Sequence, residues 1–352
     1  MALKLDWITD AVRPLDLALR DQALAYQDQL TKPRGSLGLL ERIGVQFSAM
    51  QGQLKPQLDN IYITVFAADH GVAEEGVSAF PQAVTAEMVR NFSRGGAAIC
   101  VLARQINASF EVVTLGTVVE LEPLPYVLDM TIAASTANFC LDAAMTPEQL
   151  LQALAVGAEA SERAQQQRAE LFIGGEMGIA NTTSATAIAA AMLRLPVTDL
   201  VGAGTGIDPT LLAHKAAVIE RALMKHQQAL ADPVELLRCL GGFEIAALVG
   251  AYIRCAQLGV PVLVDGFITT AAALIACRIN NGVRDWLLFS HNSAEPGHRA
   301  MQRVLDAETV LDLGMRLGEG SGAAVAVPLF RAACALQAQM ATFTEAAVSD
   351  QT

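Results

Sequence analysis

From residue 61 onward, short aliphatic runs alternate with longer segments whose apolar residues recur every three or four positions. This alternation predicts an α/β fold with a parallel sheet, because parallel strands need helical crossovers and are covered on both faces. The composition agrees, since 53% of the residues are hydrophobic but only 5% are aromatic. Strands are predicted at residues 61–67, 110–115, 171–173, 200–201, 262–264 and 286–289.

Helical patterns fill the first sixty residues and the last stretch, residues 321–340. A loop is predicted at 32–38, where a proline and two glycines interrupt the first pattern. Three helix starts are marked by a capping side chain before a proline, at Thr146, Asp208 and Asp232.

The chain has 36 acidic and 24 basic residues and a formal charge of −12, which argues against nonspecific binding to nucleic acid or anionic membranes. We expect no signal peptide at the N-terminus and no membrane span, because charged residues interrupt the apolar stretches. The six cysteines are scattered, which favours buried thiols in a reducing cytoplasm over disulfides or a metal site.

Glycine-rich or polar segments follow the predicted strands, and the carboxyl ends of parallel strands meet at one edge of the sheet. We therefore expect a small-molecule site at that edge. Two interpretations stay open for residues 174–183: a backbone cradle for phosphate, or a tight turn with Thr182, Thr183 or Ser184 as the cap of the next helix. A second glycine-rich loop, residues 202–209, is followed by Lys215, either an anion ligand or a surface lysine.

Glu319 stands between two glycines at the start of the last helix. It is either a general base or an acid stabilised by the helix dipole. Asp69 and His70 are adjacent at a strand end, so their side chains point in opposite directions, and a turn held by side-chain hydrogen bonds is the favoured interpretation. His291 and His298, with Glu295 between them, lack a third ligand at metal spacing, and no metal site is expected.

Five segments together resemble the nicotinate-nucleotide:dimethylbenzimidazole phosphoribosyltransferase family. They are KPRGSLG at 32–38, ADHGV at 68–72, GEMGIANTT at 175–183, DGF at 265–267 and RLGEGSG at 316–322. Each motif alone is weak, but five in the same order over nearly the whole chain are specific.

The resemblance implies a homodimeric enzyme with a Rossmann-like large domain, residues 61–314, and a small helical domain built from residues 1–60 and about 315–352. It implies transfer of the phosphoribosyl group of nicotinate mononucleotide to dimethylbenzimidazole, or a related lower-ligand base, in cobalamin synthesis. The products would be α-ribazole 5′-phosphate and nicotinate, formed with inversion at C1′ and without a cofactor.

The resemblance also implies roles for single residues. Glu319 matches the general base, and Glu176 matches a second carboxylate that orients the substrates or partly replaces that base. The implied phosphoribosyl ligands are Gly175, Gly178, Asn181, Thr182, Gly202, Gly204, Lys215 and Ser293, and the implied base contacts are Phe80, Met88, Leu317 and Gly318.

Phe80 and Met88 depart from the enterobacterial-type members of the family, which carry a small polar residue and a glutamine there. Two apolar side chains would pack against a flat ring but discriminate less between its substituents. Adenine and phenolic bases therefore stay open as substrates. The residues leave two other functions open. One is a nicotinamide-dinucleotide dehydrogenase, although this chain lacks the G-x-G-x-x-G turn expected of that class. The other is a regulator that binds the nucleotide without turnover.

Overall fold

The structure is a computed structural model that describes residues 5–202 and 209–349. Its centre is a seven-stranded sheet in the order β3-β2-β1-β4-β5-β6-β7, and every neighbouring pair is parallel. The strands are β1 (Ile61–Ala68), β2 (Ser109–Gly116), β3 (Val127–Asp129), β4 (Leu171–Met177), β5 (Val262–Val264), β6 (Leu287–His291) and β7 (Thr309–Leu311). The predicted α/β class with a parallel sheet is confirmed.

Five of the six predicted strands are present, but the prediction at residues 200–201 is wrong. Those two residues follow a 3-10 turn, Val197–Asp199, and form no strand. The reason lies in the sheet: β4 pairs directly with β5 through Phe172 and Val262, which leaves no place for a strand between them. The edge strands β3 and β7 were not predicted: unlike β5, which is equally short but fully buried and aliphatic, they are partly exposed and each includes a polar residue.

Helices cover both faces of the sheet. They are α1 (Leu17–Gln27), α2 (Leu39–Gln51), α3 (Ala83–Ser93), α4 (Ala98–Gln105), α5 (Pro147–Gln166), α6 (Asn181–Leu193), α7 (Pro209–Lys225), α8 (Pro233–Leu240), α9 (Phe243–Leu258), α10 (Phe267–Ile279), α11 (His298–Val304), α12 (Ser321–Gln339) and α13 (Phe343–Ala346). Side chains of β1 alternate between the two cores. Tyr62 and Phe66 pack on the face that α5 and α9 cover, and Ile63 and Val65 on the face that α2 and α12 cover.

Two of the three predicted helix starts are confirmed. The Thr146 side chain accepts the Gln149 N–H at the start of α5, and Asp232 accepts two N–H groups at the start of α8. Asp208 lies outside the described residues. The prediction of a threonine or serine cap on α6 is wrong, since that helix begins at Asn181 after Ala180, whose φ of 75° turns the chain.

The two ends of the chain meet. Leu30 pairs with Thr342 in an isolated antiparallel bridge, and α2 packs on α12, where the rings of Phe47 and Phe330 meet edge to face at 6.4 Å. The loop predicted at 32–38 is present, and the Lys32 ammonium pairs with Glu41 at 2.9 Å beneath it.

Among the described residues, α12 is the one helix whose length and composition would suffice to cross a membrane. More than half of its most apolar stretch is buried inside the protein, against β1 and α2. Buried helices in protein cores commonly have this composition.

Candidate active site

A cavity opens at the carboxyl ends of the strands, where the sequence predicts a small-molecule site. Its wall is formed by the segment after β1, the end of β4 with the start of α6, the turn after β5, the turn after β6, and residues 316–321 before α12. The lining residues used below are Phe80, Met88, Glu176, Gly178, Asn181, Thr182, Asp265, His291, Ser293, Arg316, Leu317, Gly318 and Glu319.

Glu319 sits in an unusual stretch of backbone. It has a φ of 64° between Gly318 at 88° and Gly320 at 83°, so three successive residues are left-handed. For a residue with a side chain this conformation costs about 1–2 kcal/mol, and such strain is concentrated at functional sites. The turn directs the buried carboxylate of Glu319 to the cavity wall instead of into the helix that follows.

Two opposing effects act on the pKa of Glu319. Burial is the larger and raises the pKa, and the nearby Asp265 acts in the same direction. A hydrogen bond from the Ile99 N–H, 3.3 Å from Oε2, lowers it. Ile99 lies in the first turn of α4, so the carboxylate meets a helix N-terminus, but that of α4 and not the helix it precedes. The net shift is upward, which suits a general base near neutral pH.

Glu176 lies near the end of β4 and faces the same cavity. Its Oε2 accepts a hydrogen bond from the Asn181 side-chain amide. Burial, and next the negative charge of Glu244, hold the pKa of Glu176 well above its usual range.

Two glycines bring Glu176 and Glu319 to one wall. A Cβ on Gly175 would overlap the main chain at Glu319, and a Cβ on Gly318 would overlap Glu176 Oε1. Strand β4 and the turn before α12 can therefore approach each other only with glycine at both positions. Gly175 thus acts behind the cavity wall, whereas Gly178 and Gly318 line it.

The predicted phosphoribosyl ligands are only partly brought together. Asn181, Thr182 and Ser293 line the cavity, and the fully buried Lys215 donates from Nζ to Thr182 Oγ1 at 2.7 Å. Burial lowers the pKa of Lys215 to about 8, against the opposing charge of Glu295. The surface-lysine interpretation is therefore wrong.

The second glycine-rich loop is described only at its start. Gly202 packs so close to the Glu295 carboxylate that a Cβ there would overlap it, and it does not line the cavity. Gly204 lies outside the described residues.

The predicted base contacts all line the cavity. Phe80 is 46% exposed and Leu317 51% exposed, while Met88 and Gly318 are half-buried. Apolar side chains commonly line ligand sites. Phe80, Met88 and Leu317 contribute apolar side chains to the wall, whereas Gly318 lies against the Glu176 carboxyl group.

On sequence alone, no role was assigned to Asp265 and a metal-ligand role was rejected for His291. Both residues line the cavity. Asp265 follows β5, and its Oδ1 accepts the Ala323 N–H at 2.8 Å, at the start of α12. Burial raises the pKa of Asp265, against the effect of His291, whose Nε2 lies 3.8 Å from Oδ1. The available signal was their position directly after predicted strands.

His298 has a structural role. Its Nδ1 accepts the Ser293 N–H at 2.9 Å, and its Nε2 meets Thr270 Oγ1 at 3.0 Å. Burial lowers the pKa of His298 to about 3, so the ring is neutral and its proton is on Nε2. Across residues 5–202 and 209–349 no group of three or more His, Cys, Asp or Glu side chains could hold a metal ion.

The favoured interpretation of Asp69 and His70 is confirmed. Asp69 accepts hydrogen bonds from Thr85 Oγ1 at 2.7 Å and from the Val118 N–H at 2.9 Å. His70 Nε2 lies 2.6 Å from Glu244 Oε1 on a different side. Both side chains are fully buried and hold the turn after β1.

The sequence and the fold match known proteins over nearly the whole chain. A family model described as "Phosphoribosyltransferase" matches residues 12–348. The nicotinate-nucleotide–dimethylbenzimidazole phosphoribosyltransferase of Pseudomonas aeruginosa (strain UCBPP-PA14) is 59% identical over 349 residues, 99% of each chain. The chain belongs to this phosphoribosyltransferase family.

Other members agree with this assignment. The phosphoribosyltransferase of the same name from Xanthomonas axonopodis pv. citri is 59% identical over 348 residues, which cover 99% of this chain and all of the relative. The crystal structure of the enzyme of that name from Thermus thermophilus superposes with a TM-score of 0.90 at 43% identity, covering 96% of this chain and 100% of that one. The family is one of transferases, so the dehydrogenase alternative is excluded.

Proposed function

We propose that this enzyme transfers the phosphoribosyl group of nicotinate mononucleotide to 5,6-dimethylbenzimidazole or a related lower-ligand base. The products are α-ribazole 5′-phosphate and nicotinate, and the reaction belongs to cobalamin synthesis. The names of relatives that are 59% identical over the full length support this reaction. The cavity supports it too, because apolar side chains and a polar, glycine-rich segment both line it.

The observation that carries the mechanism is the left-handed turn at Glu319, with a φ of 64°. Strained backbone costs stability, so a carboxylate held in it at a cavity wall indicates a functional role. We assign Glu319 as the general base that removes the N–H proton of the incoming base. A positioned base typically contributes roughly 10²- to 10⁴-fold to the rate.

The bond changes balance without an acid. The unprotonated ring nitrogen of the base attacks C1′ as its N–H proton passes to Glu319. The bond between C1′ and the nicotinate nitrogen breaks, and its electron pair neutralises the pyridinium ring. Attack from the face opposite the leaving group inverts C1′, so a β-nucleotide gives an α-riboside.

The polar wall accounts for phosphate binding by an acidic protein. Helix α6 begins at the cavity, where Asn181 and Thr182 line the wall. Such a helix N-terminus attracts anions. We place the phosphate between this helix start, Ser293 and the buried Lys215, with Glu176 and Asn181 next to the ribose. The predicted roles of Gly202 and Gly204 stay predictions.

On the apolar wall, Phe80, Met88 and Leu317 would sandwich the flat base. Two of these three side chains offer no polar atom, and the Met88 sulfur is only a weak acceptor. The wall therefore selects by shape more than by hydrogen bonding. Dimethylbenzimidazole is the expected substrate, and adenine and p-cresol test how far the selection by shape extends.

The experiment follows nicotinate release by chromatography, with nicotinate mononucleotide and a panel of dimethylbenzimidazole, benzimidazole, adenine and p-cresol. We expect base-dependent release and an α-riboside product, with the kcat of Glu319→Gln lower by about 10²-fold or more. Glu87→Gln, an exposed glutamate outside the cavity, is the matched control.

Nicotinate mononucleotide binding without release of nicotinate, and no effect of Glu319→Gln, would support the nucleotide-sensing regulator instead. A β-riboside product would contradict the inversion while leaving the transfer in place.

We also propose that the enzyme is a homodimer that works in the cytoplasm. All six cysteines are unpaired, and five of them are buried, which supports a reducing compartment.

A further inference from the structure

Glu176 belongs to a group of four buried acids, three of which line the cavity. The other three are Glu244 on α9, Asp265 after β5 and Glu319 before α12, and each acts on Glu176 through its negative charge. Four ionised carboxylates cannot share one buried site without a large loss of stability, so at least one of them must hold a proton. The hydrogen-bond partners decide which one.

Three of the acids have partners that stabilise a negative charge. Asp265 accepts N–H groups from the first turn of α12, among them Ala323 at 2.8 Å, and faces His291. Glu319 accepts the Ile99 N–H at the start of α4. These donors lie at helix N-termini, where the dipole adds to the effect.

Glu244 also has a strong partner. Its Oε1 lies 2.6 Å from His70 Nε2, and the other ring nitrogen of His70 lies 3.0 Å from Ser184 Oγ. A ring N–H directed at Oε1 stabilises a negative charge on this carboxylate.

Among the described residues, Glu176 is the one acid of the four with neither a backbone N–H donor nor a basic partner. Its hydrogen-bond donor is the uncharged side-chain amide of Asn181, on Oε2. In the described ranges no basic side chain forms an ion pair with it. The basic groups at the cavity are directed elsewhere or lie at its rim: Lys215 binds Thr182, and Arg316 is exposed.

We propose that Glu176 remains un-ionised at neutral pH and donates a hydrogen bond to the nucleotide, instead of acting as a second base. Because Oε2 accepts from Asn181, the proton is on Oε1, which lies against Gly318 at the cavity wall. Glu176 and Glu319 then have different roles: Glu176 donates a hydrogen bond to the nucleotide, and Glu319 accepts the proton of the incoming base.

This inference deepens the proposed function and rests on it. The acceptor of the Glu176 proton is an oxygen of nicotinate mononucleotide, either a ribose hydroxyl or the nicotinate carboxylate. An uncharged acid suits this ligand, since an ionised one would repel its phosphate and carboxylate. Burial raises the pKa of Glu176 well above its usual range, which agrees with this assignment.

The first test is the pH profile of kcat with saturating substrates. Wild-type kcat should fall at alkaline pH as Glu176 ionises. Glu176→Gln should remove that fall, because a carboxamide cannot ionise, and should lower kcat at the optimum less than tenfold, because it keeps an N–H donor. Glu176→Ala should lower kcat by more than tenfold. We use kcat because it reports groups in the complex, whereas Lys215, with a pKa of about 8, acts on kcat/KM of the free enzyme.

Comparison of nicotinate mononucleotide with nicotinamide mononucleotide identifies the acceptor oxygen. If Glu176 donates to the nicotinate carboxylate, Glu176→Gln changes the ratio of kcat/KM for the two nucleotides. If it donates to the ribose, the ratio is the same in wild type and variant. Both outcomes keep the donor role.

The second test needs no turnover. Infrared difference spectra at pH 7 between wild type and Glu176→Gln should show the carbonyl band of an un-ionised carboxyl group in wild type only, with Glu87→Gln as the control. A carboxylate band lost in its place would overturn the inference. An unchanged alkaline fall in Glu176→Gln would overturn it as well. If no base supports nicotinate release, the proposed function fails, but the infrared result still decides the protonation state.

Discussion

Lys215 shows how burial changes the charge state of an ordinary side chain. The side chain is fully buried, and burial lowers its pKa to about 8. Below that pH the ammonium is charged, as the phosphate role that we propose for it requires; above it the charge is lost. A sequence cannot show this, because a lysine pattern on a helix reads the same whether the side chain is buried or exposed.

We expect Lys215→Met to raise the KM for nicotinate mononucleotide about 10- to 100-fold, since a hydrogen bond to a charged group contributes roughly 1.5–3 kcal/mol. In wild type, kcat/KM should fall as the pH rises through about 8. The variant should lack this fall. Steady-state kinetics over pH measures both effects.

Lys225→Met, at the end of the same helix and exposed, is the matched control. An unchanged KM in Lys215→Met would contradict the phosphate role.

At the scale of elements, helices α5 and α9 pack closely, backbone against backbone. A Cβ on Gly157 would overlap the Ala247 carbonyl, and a Cβ on Gly250 would overlap the Leu154 carbonyl. Helix α9 contributes Glu244 to the group of four buried acids, so this contact also positions that group.

We expect Gly157→Ala and Gly250→Ala each to destabilise the protein by about 1–3 kcal/mol or more, because overpacking forces the backbones apart. Thermal unfolding measures the loss as a lower midpoint temperature. Gly282→Ala is the control, since its Cβ would meet a methyl group of Val12 that can move. Equal midpoint temperatures for all three variants would show that α5 and α9 can move apart at little cost, which contradicts this prediction.

At the scale of the whole molecule, the buried acids make stability depend on pH. A carboxyl group whose folded pKa is raised holds more protons in the folded state than in the unfolded state. Its contribution to stability is therefore lost as the pH rises from its ordinary pKa to the folded value. Glu176, whose ordinary pKa is 4.5 and whose folded pKa lies well above it, has such a pH window.

We expect the free energy of unfolding to decrease from about pH 5 upward, because the unfolded state loses its protons first. Glu176→Gln should reduce this slope. A denaturant titration at several pH values measures it. An identical slope in the two proteins would contradict the raised pKa.

The domain division and the oligomeric state are also properties of the whole molecule. We propose that residues 1–60 and 315–352 act as one unit beside residues 61–314, as the bridge from Leu30 to Thr342 suggests. Hydrogen exchange should then show α1 and α13 opening together at a lower free energy than the central strands. Light scattering should give twice the chain mass of 37.2 kDa. A monomer mass would contradict the homodimer.

The sequence alone determined the features that depend on local pattern. Long aliphatic strands, proline-marked helix starts and the loop at 32–38 could be predicted because propensity and periodicity act over a few residues. Strand 200–201 was wrong and two edge strands were absent from the prediction, since short segments are decided by the neighbours with which they pair. Glu319 and Glu176 could be identified as candidate site residues because they lie in two of the five segments that match the family in order.

Only the tertiary structure decided the chemical state of those residues. Lys215 reaches Thr182 across 33 positions, and Glu176, Glu244, Asp265 and Glu319 come from four separate elements. Burial and charge between residues far apart in the chain set their protonation, because desolvation depends on everything packed around a group and not on its sequence neighbours. For Asp265 and His291 the sequence offered a position after predicted strands, but only the folded protein shows that the two side chains face each other at the cavity.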